Sequence, residues 1–380
     1  MAVSASHQSE ASSAKLTIEL DAIAANYSLL RTKVAPAICA AVVKANAYGL
    51  GALEVARRLL AEGCRHFFVA HPGEGVELRN LRDVALEQSS IYVLGGLSTA
   101  PASVFTTYDL VPALPSISDI ELWATHARKL ERRLPAVLHF DPGMSRLGIP
   151  AADALMLTQR QLDHFDLHFI MSHLACSDEP AHPKNAEQRE RFAAIRGRYP
   201  GLKASLANSG GIFLSAAYAH DLVRPGAALY GLTPTTGVPN PMKCVLKLEA
   251  PLLQVRHLAK DDTVGYGATF RAGEQMRIAT LGVGYADGYP RSLSNCGQVL
   301  IGGVRAPIIG RVSMDLVTVD VSAVPESTAR ADHRPHLDGP HDRGYYRLAR
   351  ESCARRRHGG DRRARDPARR CRTNGRHYRL

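Results

Sequence analysis

The 380-residue chain lacks any run near the roughly 18 apolar residues that a membrane helix requires, so no helical membrane span is expected. It has no CxxC pair, and its seven cysteines (39, 64, 176, 244, 296, 353 and 371) form an odd set. That argues against a disulfide framework or a zinc knuckle and for a reducing, cytoplasmic compartment; no metal site is expected. Neither GxGxxG nor GxxxxGK[ST] occurs, so nucleotide folds of those kinds find no support. The opening MAVSASHQSEASSAK has no basic n-region and no apolar core, and is read as a polar leader without a secretory signal. With 45% hydrophobic and 22% charged residues, the chain is not disordered throughout and can bury a sizeable core. Its length suits a large α/β unit plus a smaller partner.

The net charge of +11 raises the question of nucleic acid or an anionic membrane, and its distribution answers most of it. From Glu326 to Leu380 there are 16 Arg, no Lys and seven acidic residues, or +9, which leaves +2 for residues 1–325. Those last 55 residues hold no Val, Ile, Phe or Met and only three Leu (337, 348 and 380), so no helix or strand periodicity is expected there. Abrupt loss of aliphatics and complete replacement of Lys by Arg fit a GC-rich gene read out of frame after about Pro325. The rival is a basic tail for RNA or acidic lipid, with Tyr345, Tyr346 and Tyr378 as stacking residues.

What is present over residues 15–238 is alternation. LTIEL (16–20) reads as a short strand, and Asp21 as the cap of a helix with Ile23, Tyr27 and Leu30 on one face. Eight strand patterns follow: ICAAVV (38–43), HFFVA (66–70), IYVL (91–94), LVPAL (110–114), AVLHF (136–140), LHFIM (167–171), KASL (203–206) and LVR (222–224). Amphipathic stretches such as Leu53/Ala56/Leu60 and Ile120/Leu122/Trp123/Ala127 lie between them. Eight β-then-α units of this size predict an α/β fold with an N-terminal (β/α)8 TIM-type barrel; a doubly wound sheet is the alternative. TTGVPNPMK, near 235–243, reads as a linker. Residues 239–325 then carry short strands broken by Gly, Pro and Asp, which predicts a separate, mostly β domain.

A β/α barrel places its active site where strands end and loops begin. Lys44 directly follows ICAAVV, where shielding suits Schiff-base chemistry; a lysine snorkelling from a strand end is the ordinary alternative. Arg146 (DPGMSRLG), His173 (SHLA), Asn208 and Ser209 (LANSGG) and Arg224 (VRPGAALYG) follow later strands. Each alone reads as a structural polar residue. Together with the Gly-rich turns at 210–211 and 225–226 they suit a phosphate or carboxylate ligand. The β domain adds Tyr266 (VGYGATF), Tyr285 (GYADGYPR), Met314 and Asp315 (GRVSMD), with glycines on both sides of Tyr266 pointing to an exposed phenol.

AVVKANAYGLG (41–51) closely resembles the alanine racemase family, as do these other motifs in their order and spacing, across roughly residues 15–325. The resemblance implies a pyridoxal 5'-phosphate (PLP) isomerase, a barrel plus β domain, a head-to-tail homodimer with composite sites, and D-alanine supply for peptidoglycan. Lys44 matches the lysine that holds PLP, and Tyr266 the opposite-face tyrosine given by the partner subunit, as are Met314 and Asp315 near the substrate. Tyr48, Ser209, Gly226 and Tyr285 match positions around the cofactor phosphate and the site entrance. Arg224 matches the arginine on the pyridine nitrogen, and His173 the histidine linking it to the tyrosine. Arg146 matches the arginine near the cofactor's phenolic oxygen and the substrate carboxylate.

Several residues depart from the family pattern. Leu50 stands where AYGHG carries His, Pro142 where Thr is usual, and Ser205 where a His precedes the Asn-Ser pair. His139 stands where many relatives have a lysine, often carbamylated. After Pro325 the Tyr-Glu segment of relatives is missing, so a weakened β domain with open edges is expected. The competing readings are a broad-specificity or serine racemase, a non-catalytic PLP carrier, and a chain inactivated by its altered ending whose tail binds RNA.

Overall fold

The computed structural model describes residues 14–326, 328 and 336–338, apart from 82–83. Eight parallel strand positions run Ile38–Cys39 with Ala41–Val42, His66–Val69, Ser90–Val93, Leu110–Leu114, Leu134–Asp141, Phe165–Met171, Lys203–Ser205 and Leu222–Val223. Neighbours in that order pair in parallel through Lys203–Ser205, and Leu222–Val223 returns to pair in parallel with Ile38–Cys39. The Asp221 N–H to the Ala204 carbonyl and the Arg224 N–H to the Ala207 carbonyl join the seventh and eighth strands. The barrel therefore closes, and the doubly wound alternative falls.

Closure explains the sequence pattern, because strands covered on both faces read as continuous apolar runs. Leu110–Leu114 is buried at all five positions. Phe68, Tyr92, Val111, Ala113, Val137, Phe169 and Met171 fill the barrel interior. Phe67, Val69 and Ile91 face outward, in one cluster with the helix residues Leu59, Phe105 and Trp123. Two local expectations need correction. The first helix is Leu20–Val34 with Glu19 at its cap position, so Asp21 lies inside the first turn and pairs with Arg58 at 2.9 Å. Leu122 on helix Ile117–Lys129 is half exposed, because its position falls outside the stripe of Ile120, Trp123, Ala124 and Ala127.

The second domain is built from antiparallel strands. Leu252–Leu258, Met276–Leu281 and Val317–Asp320 form one sheet. Another includes Leu246–Glu249, Gln298–Ile301 and Val304–Pro307, and recruits Lys15–Ile18 from ahead of the barrel. His336–Asp338 is placed between Leu246–Glu249 and Gln298–Ile301, pairing with both. The expectation that nothing after Pro325 forms a strand therefore fails at those three residues: ladder bonds come from the backbone and need no apolar pattern. The other tail calls, the stacking tyrosines included, lie outside the described residues. Buried Asn26 anchors the linker, accepting from the Lys243 N–H at 2.7 Å and donating to the Lys243 and Leu229 carbonyls. Among the described residues no helix is long and apolar enough to cross a membrane.

Candidate active site

A cavity of about 340 Å³ opens at the C-terminal ends of the barrel strands, within the range of roughly 300–1,000 Å³ usual for small-molecule sites. Lys44, Tyr48, Arg146, His173, Ser209, Arg224 and Gly226 all line it, as do Asn208, Ser177 and Asp178. The barrel half of the expected site is thus brought together. Tyr266, Tyr285, Met314 and Asp315 are not among its lining residues.

Lys44 opens an unusual turn. Ala45, Asn46, Ala47 and Tyr48 all have φ between 52° and 57°, a left-handed stretch with no glycine. Each such residue costs on the order of 1–2 kcal/mol, and such strain concentrates at functional sites. Neighbours hold it. Glu74 accepts from the Ala45 N–H at 2.5 Å while its other oxygen takes the Ala70 and His71 N–H groups. Asn46 Oδ1 accepts from the Ala52 N–H at 2.8 Å. The turn carries Lys44 and Tyr48 to the same cavity. Burial first, and the Arg146 charge second, lower the Lys44 pKa from its ordinary value.

Below the cavity Arg224 is buried at 3% exposure and has no carboxylate partner among the described residues. Its guanidinium donates to Ser205 Oγ, to the Ser172 carbonyl and, at 3.5 Å, to the Leu206 carbonyl. Burial pushes its pKa down to about 9, so it stays charged at neutral pH. The expected link from Arg224 to His173 is not a hydrogen bond among the described residues; the two interact through charge. Burial, then Arg224, Arg146, Lys44 and His139 in turn, keep His173 neutral by depressing its pKa. The Ser205 hydroxyl is thus one of three oxygens that hold the arginine.

Across the cavity, Ser209 Oγ accepts the N–H groups of Gly226 and Ala228 at 3.0 and 3.1 Å. A Cβ built on Gly226 would lie 2.3 Å from the Tyr48 hydroxyl, so glycine is required for that approach. Tyr48, Ser209 and Gly226 thus form one small polar cup, with the Tyr48 pKa raised to about 12 by burial. Arg146 rides on a loop that Asp141 organises by accepting the N–H groups of Gly143, Met144 and Ser145 at 2.7–2.8 Å. His139 makes no hydrogen bond to Arg146. Its Nδ1 is buried without a partner among the described residues, and burial lowers its pKa to about 4.

The β-domain residues converge elsewhere. The Tyr285 N–H donates to the Ser313 carbonyl at 3.0 Å, and the Ala286 N–H to the Met314 carbonyl at 2.9 Å. The Tyr266 turn lies beside the same 310–315 loop: a Cβ on Gly267 would meet Arg311 Nη1 at 3.3 Å. Tyr266 is 72% exposed, and Met314 and Leu316 are exposed as well. Sequence reasoning missed Glu74 and Gln188, which stand in none of the quoted motifs, and the part played by Asp141 within DPGMSRLG; all three act on backbone N–H groups. Buried Gln188 accepts from the Ala175 N–H and donates to the His173 carbonyl, clamping the SHLA loop.

A shielded lysine, a small polar cup and a buried arginine at the mouth of a β/α barrel are features of a pyridoxal-phosphate barrel enzyme, here with a second β domain attached. The alanine racemase N-terminal domain family matches residues 18–234, and the C-terminal domain family residues 245–344. The chain is 49% identical to the alanine racemase of Rhodospirillum rubrum over 330 residues, 86% of this chain and 87% of that protein. It is 46% identical to that of Brucella ovis over 343 residues, 86% of each. Among solved structures it resembles the Bartonella henselae alanine racemase with covalently bound pyridoxal phosphate. There the TM-score is 0.82 at 37% identity, covering 89% of this chain and 97% of that one. The chain belongs to the alanine racemase family.

Proposed function

We propose that the protein interconverts L-alanine and D-alanine with two bases on opposite faces of the substrate, Lys44 from the barrel and Tyr266 from the β domain of a second copy. The observation that carries this is the placement of Lys44 beside the polar cup in a chain of this family, with Tyr266 outside that cavity and exposed. Pyridoxal phosphate, when bound, supplies the electron sink that lets an amino acid lose its Cα proton. Lys44 would hold the cofactor, with Tyr48, Ser209 and the Gly226 turn around its phosphate. Arg224 would donate to its ring nitrogen and, keeping its own proton, leave that nitrogen neutral. His173 stands beside Arg224 as a neutral imidazole, and Arg146, which lines the same cavity, would take the substrate carboxylate.

Inversion needs a proton removed at one face and returned at the other. Lys44, whose pKa is lowered first by burial and then by the Arg146 charge, would serve one face. Tyr266, Met314 and Asp315 would complete the other face from the partner, with Tyr285 at the entrance. A homodimer of this kind would also cover Tyr266, Met314 and Leu316, which are exposed in the single chain. In the cytoplasm the product would supply D-alanine for peptidoglycan. The test is chiral chromatography of L-alanine incubated with the purified chain and PLP. Conversion abolished in both Lys44→Ala and Tyr266→Phe supports the assignment; no conversion by the parent chain, or full conversion by either variant, overturns it.

A further inference from the structure

Asn208 follows strand Lys203–Ser205 and lines the cavity beside Ser209. Its side-chain oxygen accepts from the Gly211 N–H at 3.0 Å and from the Ser177 hydroxyl at 2.7 Å. Its nitrogen donates to the Leu174 carbonyl at 3.3 Å. A backbone N–H can only donate and a carbonyl can only accept, so the amide cannot be turned over without two clashes of like polarity. The same nitrogen lies 3.4 Å from Nε2 of His173.

An N–H facing Nε2 requires a lone pair there, which leaves the proton of a neutral imidazole on Nδ1. We infer that Asn208 is a positioning residue that fixes His173 in its Nδ1–H tautomer, and so determines which edge of the ring can donate a proton. The charged groups acting on that ring among the described residues are Lys44, Arg146, Arg224 and His139, none of them acidic. Gln188 holds the His173 carbonyl at 3.0 Å, which fixes the backbone from which the ring projects. The catalytic consequence rests on the racemase reading above; the tautomer does not.

The experiment is ¹⁵N NMR of the PLP-loaded enzyme labelled in histidine, with His173 assigned by its loss in His173→Gln. The parent chain is expected to show a protonated Nδ1 and an unprotonated Nε2. Asn208→Asp, nearly isosteric, should move the proton to Nε2 or charge the ring. It should lower kcat roughly 10- to 100-fold, the scale on which orienting partners act, with a smaller change in KM. Asn208→Ala should give a mixture of tautomers. A parent enzyme with Nε2–H, or an Asn208→Asp spectrum unchanged from the parent, overturns the inference. A parent chain with Nδ1–H but no racemisation overturns the functional reading and supports the tautomer.

Discussion

Gly226→Ala adds one carbon at the tightest point of the cavity, and the structure sets the size of the effect. The new Cβ would lie 2.3 Å from the Tyr48 hydroxyl oxygen, 3.1 Å from its Cζ and 3.3 Å from Val42 Cβ. Relief requires about 1 Å of movement to restore ordinary contact. Tyr48 cannot easily supply it. Its ring centroid lies 4.7 Å from that of Tyr230, whose hydroxyl is tied to the Val42 carbonyl at 2.9 Å. Overpacking of this kind costs about 1–3 kcal/mol. Expressed as distortion of the cup, that weakens cofactor binding about 5- to 150-fold. The comparison is Gly201→Ala, at φ +87° with nothing within 4 Å, where the cost is backbone strain alone and the cup is untouched. Titrating apoenzyme with PLP while following the lysine-bound absorbance gives Kd for each variant. Equal Kd for Gly226→Ala and the parent would refute the argument that this glycine is there for close approach.

Tyr266→Phe should abolish racemisation without lowering the melting temperature, since it removes one hydroxyl and keeps the ring. Mixing it with Lys44→Ala protomers should restore activity if the two bases come from different chains; no rescue in a verified mixed dimer counts against a composite site. Arg146→Gln removes a charge that depresses the Lys44 pKa, so a greater part of the amine is protonated at a given pH. The pH at which half of added PLP is captured should therefore move up, and an unmoved midpoint contradicts the assigned cause. His139 stays neutral in the folded chain down to about pH 4, whereas its ordinary value is 6.5. Between those values the unfolded state binds the extra proton, so stability falls as pH is lowered through that window, by up to about 3 kcal/mol. Thermal melts of His139→Gln should show a shallower acid slope, and an unchanged slope would point to other groups.

The eight barrel strands are legible because burial on both faces leaves runs such as Leu110–Leu114 with no polar position at all. Lys44, Arg146, His173, Ser209 and Arg224 are legible for a related reason: each lies at the end of such a run or within a few residues after it, and the barrel brings those ends together. Residues that act on main-chain groups are harder to find. Glu74 is one of several ordinary surface-type acids in its segment, and its hold on the Ala45 N–H depends on a left-handed turn that ANAY does not announce. The pairing of Lys15–Ile18 with Leu246–Glu249, more than 200 residues away, has no local signal, because alternation gives a strand but not its neighbour. His336–Asp338 has less still. Ser205 shows how a departure from a pattern is read correctly only in three dimensions. In sequence it is a lost histidine, whereas in the fold its hydroxyl donates to the Leu222 carbonyl at 2.6 Å and accepts from Arg224. A buried guanidinium without a carboxylate must find oxygens elsewhere, and the Ser205 hydroxyl with the Ser172 and Leu206 carbonyls is how this chain supplies them. The arginine therefore keeps its place under the cavity through three neutral oxygens, and Ser205 is part of its support.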